Sequence, residues 1–207
     1  MPIQDYKDLN EMHLDVLREL GNIGSGNAAS SLAGMLAKAV DISVPKIQIL
    51  DYNEVSDALG GPENMIVGLL LSLSGDVEGM LMFLLQKDFA HLILNTLLGE
   101  ELNDFEDIDE MGISAIKEVS NIMTASYVNA IAEMTGLTIN ISVPDICIDM
   151  AGAILSVPAI HYANISDKII FIEDEFRSDS DRAVSDILMI PDVDSLQKIM
   201  TNLGIEI

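Results

Sequence analysis

Apolar residues near the N-terminus recur three and four positions apart, which predicts a helix. Leu17, Leu20 and Ile23 share one face, and Asp15, Glu19 and Asn22, at i, i+4 and i+7, form a narrow polar stripe on another. The pattern returns later in the chain: Ile116, Val119, Ile122 and Met123 point inward while Ser114, Glu118 and Asn121 line up outward. Elsewhere the period shortens. Val67 to Leu73 and Ile169 to Ile172 read as strands, alternating or continuously apolar and β-branched. Glycine stops a helix after Leu98 and another after Leu203. Two carboxylate-rich stretches, Glu100 to Glu110 and Glu173 to Asp181, predict a solvated connection and an acidic loop.

The two helical patterns belong to a repeat. Ile42-Ser43-Val44-Pro45, followed by Ile47 and Ile49, recurs 99 residues later as Ile141-Ser142-Val143-Pro144, followed by Ile146 and Ile148. The same offset carries Asp15 to Ser114, Glu19 to Glu118 and Asn22 to Asn121. The segments Met80 to Gln86 and Ala183 to Ile190, each followed by a glycine-stopped helix, match more loosely at an offset of 105. Each half thus predicts a long helix, a strand opening at the Ile-Ser-Val-Pro block, a strand pair and a closing helix. The expected organisation is one domain over residues 1–207, built of repeats at about 10–99 and 109–204.

Charge narrows the partners. Lys and Arg number 10 against 34 Asp and Glu, and a formal charge of -24 disfavours nucleic acid and anionic membrane surfaces. The longest apolar run, Met65 to Leu73, is broken by Gly68 and Ser72 and falls short of the ~20 residues that cross a bilayer, so no membrane insertion is expected. With the single Cys147 and no secretory pattern over Met1 to Glu11, the expected location is the cytoplasm. Cys147, between Ile146 and Ile148, is expected to be a small buried hydrophobe, and the 12 methionines core filler. His13, His91 and His161 lack metal-ligand spacing, so no metal site is expected. Gly21, Gly24 and Gly26 spell a phosphate-loop-like pattern, but no strand precedes them and no Lys-Ser/Thr follows; close approach of a neighbouring helix or a partner explains them better.

An exposed carboxamide is neither base nor nucleophile. It accepts and donates hydrogen bonds at once, which suits it to orienting a water molecule. Phosphoryl transfer rewards such positioning when a partner supplies metal and charge. A carboxylate beside the amide is placed to pair with a cation on that partner.

The spacing Asp/Ser, three residues, Glu, two residues, Asn, twenty-two residues, Pro resembles the signature of the CheC, CheX and FliY phosphatases of chemotaxis. Asp15, Glu19, Asn22 and Pro45 meet it, and Ser114, Glu118, Asn121 and Pro144 meet it again. Two copies in about two hundred residues resemble the CheC branch; CheX carries one copy, and FliY adds rotor segments for which this length leaves no room. The resemblance implies an α/β fold of α+β type with pseudo-two-fold symmetry, its central, mostly antiparallel sheet carrying long motif helices. It implies hydrolysis of the aspartyl phosphate of the response regulator CheY. Glu19 and Glu118 would contact a regulator lysine, and Asn22 and Asn121 would orient the attacking water. Asp15 and Ser114 would be supporting positions. Pro45 and Pro144 read as structural strand-mouth prolines. The chain would need no cofactor of its own, since Mg2+ would belong to the regulator. The family also binds the receptor deamidase CheD through a helical segment after the second Pro-containing strand, which places Asp149 on that surface. The rival expectation is a non-catalytic scaffold of the chemotaxis or flagellar switch apparatus. CheY active sites are themselves acidic, so long-range steering would not help and docking must rely on local matching.

Overall fold

The computed structural model describes residues 4–161, 166–178 and 181–205. Its two longest helices, α1 (Glu11–Leu36) and α4 (Glu110–Thr135), have 26 residues each. Local chemistry fixes their ends. Asn10 accepts from the backbone N–H of Met12 and His13, while Nδ1 of His13 accepts from the backbone of Asn10. Asp109 caps α4 by accepting from Gly112, and Gly136 ends it in the left-handed conformation at φ 67°.

After α1 come β1 (Asp41–Ile42), β2 (Lys46–Asp51), α2 (Tyr52–Ala58), β3 (Met65–Gly75), β4 (Gly79–Leu85) and α3 (Lys87–Leu98). After α4 the order repeats with β5 (Ile139–Ile141), β6 (Asp145–Met150), α5 (Ala151–His161), β7 (Lys168–Ser178), β8 (Asp181–Pro191) and α6 (Val193–Asn202). The sequence predicts a strand opening at Ile-Ser-Val-Pro; instead Ser-Val-Pro separates two short strands in each half, because proline has no N–H to give a ladder.

Among the described residues eight strands form one antiparallel sheet in the order β1-β7-β8-β4-β3-β5, with β2 also along β7 and β6 also along β3. The halves therefore exchange edges. Lys46 of β2 pairs with Glu173 of β7, and its counterpart Asp145 of β6 pairs with Leu70 of β3. β4 and β8 lie side by side at the centre, with Met82 opposite Leu188. The result is the internally duplicated, pseudo-two-fold sheet that the repeat implied.

Strand alternation assigns the helices to faces. Ile47, Ile172, Ile187, Phe83 and Leu69 form a row under α1, α3 and α4: Ile47 lies against α1 at Gly21, and Phe89 of α3 meets Phe83 and Phe176 edge-on at 6.2 and 5.2 Å between ring centres. The adjacent row, including Glu173, Asp186, Leu84 and Gly68, faces α2 and α5; Gly68 leaves room for Ile154 of α5.

Several expectations need correction. The expected acidic loop from Glu173 to Asp181 is a strand over its described part: β7 runs through Ser178 and β8 begins at Asp181, while residues 179–180 lie outside the described residues. Phe176 anchors this stretch in the core, and Glu175 is neutralised by Arg177 and Arg182 at 2.6 and 2.7 Å, so the strand accommodates its charges. Cys147 is exposed, because β6 pairs only with β3 and one of its flanks is open. Met12, Met65, Met111 and Met150 are exposed, unlike Met80, Met82, Met123, Met189 and Met200, which do fill the core. The 100–110 connection is pinned rather than merely solvated: Leu102 and Phe105 are buried, and Nδ1 of His91 accepts from the Leu102 backbone. Among the described residues no helix is long and apolar enough to cross a membrane, and no cluster of three or more His, Cys, Asp or Glu could hold a metal ion.

Candidate active site

Helix α1 turns Leu17 and Leu20 into the core and half-buries Ile23, which leaves Asp15, Glu19 and Asn22 exposed in one stripe. Asp15 holds Arg18 at 2.6 Å, and Arg18 also reaches Glu11 at 3.7 Å. Arg18 went unremarked in the sequence, although the i, i+3 spacing from Asp15 was the available signal. On α4, Ile116, Val119 and Met123 are buried, Ile122 is half-buried, Ser114 and Glu118 are exposed, and Asn121 is half-buried. Among the described residues the side chains of Glu19, Asn22, Glu118 and Asn121 make no hydrogen bond or ion pair within the chain. Four groups with full hydrogen-bonding capacity thus stand in two matched pairs, open to another molecule.

The surroundings hold each stripe by packing. Pro45 and Pro144 are buried just before β2 and β6. A Cβ at Gly21 would lie 2.2 Å from Cδ1 of Ile47, and one at Gly24 would lie 2.6 Å from the ring of Tyr127. Gly24 therefore permits the close approach of a neighbouring helix, α4, that the sequence predicts, Gly21 instead admits the strand β2, and Gly26 has open space beside it. α1 and α4 also touch through the hydroxyls of Ser31 and Ser126, 2.6 Å apart.

Beneath α1 lies a polar group the sequence did not reveal. Asp174 and Ser185 face the helices from β7 and β8, beside Ser25, and all three are 1% exposed or less without a hydrogen bond of normal geometry. Burial raises the Asp174 carboxyl to about 7; the nearby Ser25 hydroxyl opposes this and the charge of Glu173 adds to it. Asp186, on the other face of the sheet, is likewise raised to about 7 by burial, against the pull of Gln86. A charged residue at a core position is hard to recognise from sequence, since it interrupts the apolar alternation that marks the strand.

Asp149, the penultimate residue of β6, is half-buried, its Oδ1 accepting from Met150 at 2.7 Å. It lines a cavity of about 260 Å³ between the sheet and α5, together with Cys147, Gly68, Ala153, Ile154 and Val157. This cavity opens on the α2 and α5 side, across the sheet from the two stripes.

The architecture defines a class: duplicated antiparallel-sheet proteins that present an acid and an amide twice, from the outer faces of two packed helices. The sequence profile of the CheC-like family matches residues 12–49 and 111–148, two segments separated by the same 99 positions as the internal repeat. The CheY-P phosphatase CheC of Bacillus subtilis is 32% identical over 203 residues, covering 96% of this chain and 97% of that protein. The flagellar motor switch phosphatase FliY of the same organism is 27% identical over 143 residues, 69% of this chain and 37% of that protein. Among solved structures, Thermotoga maritima FliY superposes with a TM-score of 0.73 at 23% identity, covering 95% of this chain and 98% of that one. A chain of the FliG–FliM complex from H. pylori gives 0.72 at 13% identity, covering 93% of this chain and 100% of that one. Those two similarities are of fold. The chain belongs to the CheC-like family.

Proposed function

We propose that this chain is a phosphatase that hydrolyses the aspartyl phosphate of a CheY-type response regulator. The relatives that carry this activity in their names support it, one of them along nearly the whole chain. The observation that carries the mechanism is the pair of unpartnered acid–amide couples, Glu19 with Asn22 and Glu118 with Asn121, repeated at one spacing.

Each couple docks on the regulator at its phosphorylated aspartate. The carboxylate of Glu19 or Glu118 pairs with a regulator lysine and sets the register. The carboxamide of Asn22 or Asn121 enters the regulator's site and holds a water in line with the scissile bond. The water oxygen bonds to phosphorus as the bond from phosphorus to the aspartyl oxygen breaks. Inorganic phosphate leaves, the aspartate is regenerated as a carboxylate, and the water proton ends on phosphate. The regulator would hold the Mg2+, whose charge would stabilise the transferring phosphoryl group. Asp15, through Arg18, and Ser114 support the two stripes without touching substrate, and Pro45 and Pro144 fix the strand mouths beside them.

The same proposal assigns the α5 face to CheD. Asp149, the cavity beside it, and Ile160, which is 79% exposed, form a surface separate from both stripes. Binding there leaves both amides accessible.

The test is a phosphate-release time course on phosphorylated regulator with Asn22→Ala and Asn121→Ala, singly and together. Removing one positioning donor costs about 10²-fold in rate, or roughly 2.7 kcal/mol of barrier, so the double variant should approach the regulator's spontaneous rate while remaining folded. An undiminished rate enhancement in the double variant rejects the mechanism. Stable complexes with no turnover by the unaltered chain would instead identify a scaffold.

A further inference from the structure

Two pairs of exposed apolar side chains obey the repeat. Met12 is 60% exposed and Met111, 99 residues on, 62%; Val44 and Val143, separated by the same interval, are each 80% exposed. A single exposed methionine or valine is ordinary. Matched exposure at equivalent positions is not, because other exposed apolar residues have no such twin: Met150 and Val157 fall, at that interval, on Asp51 and Ala58. The duplicated halves thus differ freely in their other exposed apolar positions and agree at these two.

The methionines share the helices of the acid–amide stripes, and the valines sit in the short connections just before β2 and β6. At 100° per residue, Met12 lies about 20° around the helix from Glu19 and about 15 Å along the axis from Asn22. Met111 stands in the same relation to Glu118 and Asn121. Val44 precedes buried Pro45, and Ile47, three residues further, touches α1 at Gly21, next to Asn22. A specific interface covers about 800 Å² per partner, a patch roughly 30 Å across, so one centred near Asn22 reaches Met12.

Charge points to the occupant's needs. A chain of formal charge -24 gains no long-range attraction toward a regulator whose phosphorylated site is itself acidic, so affinity must come from short-range contact. Methionine is suited to that task, being apolar, unbranched and polarizable. We propose that Met12 with Val44, and Met111 with Val143, are the apolar contacts by which each copy of the site grips the phosphorylated response regulator. This rests on the functional reading above and adds to it: the acid and amide set geometry and rate, and these four side chains set affinity.

The experiment uses the full chain carrying Met12→Ser, Val44→Ser, Met111→Ser and Val143→Ser. Losing this apolar contact should raise KM for the phosphorylated regulator about tenfold and leave kcat within twofold. The dissociation constant for beryllofluoride-treated regulator, which needs no turnover, should rise in parallel. Met12→Leu with Met111→Leu, valines intact, should keep KM near the original value, and Leu97→Ser, at an exposed position on α3 outside both stripes, should not change it. An unchanged KM and dissociation constant in the quadruple variant overturns the inference, as does an equal rise in the leucine variant or in Leu97→Ser. If the unaltered chain shows no turnover, the functional reading fails, and the beryllofluoride titration still decides whether these contacts exist.

Discussion

Asp174 offers a measurement that the fold alone dictates. Its carboxyl is 1% exposed, neither oxygen has a hydrogen bond of normal geometry, and burial raises its pKa from 3.8 to about 7. In the unfolded chain the group titrates near its ordinary value. Between about pH 4 and pH 7 the folded protein therefore holds a proton that the unfolded chain has lost, so stability falls as pH rises through that window and levels off above it. A displacement from 3.8 to about 7 corresponds to roughly 4 kcal/mol against the ionised form. Asp174→Asn removes the charge and keeps the shape, at a cost of about 1–2 kcal/mol for an amide with unmet hydrogen bonds. The variant should roughly match the parent at pH 5, where the parent has already lost about 1.5 kcal/mol of this stability, and be more stable by about 3 kcal/mol at pH 8, so the two curves diverge as pH rises. Urea denaturation from pH 5 to 8.5 reads this directly, and comparing variant with parent subtracts the general self-repulsion of a chain at -24. Asp186→Asn should behave in the same sense, since burial raises that carboxyl to about 7 as well. Parallel curves for parent and Asp174→Asn would refute the account of the buried polar group beneath α1.

Two further outcomes follow from packing. Gly24→Ala puts a methyl 2.6 Å from the ring of Tyr127 and should lower stability by about 2 kcal/mol, or Tm by about 5 °C, whereas Gly34→Ala on the same helix meets nothing within 4 Å and should raise it by about 0.5–1 kcal/mol; thermal melts of the two variants separate the effects. Because β2 pairs only with β7 and β6 only with β3, a polypeptide of residues 1–103 should lack native near-ultraviolet circular dichroism alone and regain it when mixed with residues 104–207; native structure in either piece alone would contradict the exchanged topology.

The duplication and the motif helices were legible because both rest on periodicity within a short window. Glu19 and Asn22 share a face by helix geometry alone, and the interval of 99 residues repeats that geometry in Glu118 and Asn121. The exchange of edges was not legible, since a strand's sequence records which face is apolar and not which distant strand lies beside it. Charge counting misled at Glu173 to Asp181, where Asp174 occupies an inward position that alternation reserves for an apolar residue, and Arg177 and Arg182 reconcile Glu175 with a strand. Cys147 misled for the converse reason: apolar neighbours mark a strand, but only the topology shows that the strand is an edge with an open flank.

These two kinds of information meet at the stripes. The helices that carry them are held from below by Leu17, Leu20, Ile116 and Val119, from the side by Tyr127 against Gly24, and at their ends by Asn10 and Asp109. None of those restraints uses Glu19, Asn22, Glu118 or Asn121. Substituting any of the four consequently removes no hydrogen bond or ion pair of the described fold, so a loss of turnover in such a variant reports on chemistry rather than on stability. The core substitution Gly24→Ala does the reverse, disturbing the seat of Asn22 while leaving its amide intact. A regulator assay on both variants therefore separates what the amide does from what holds it in place.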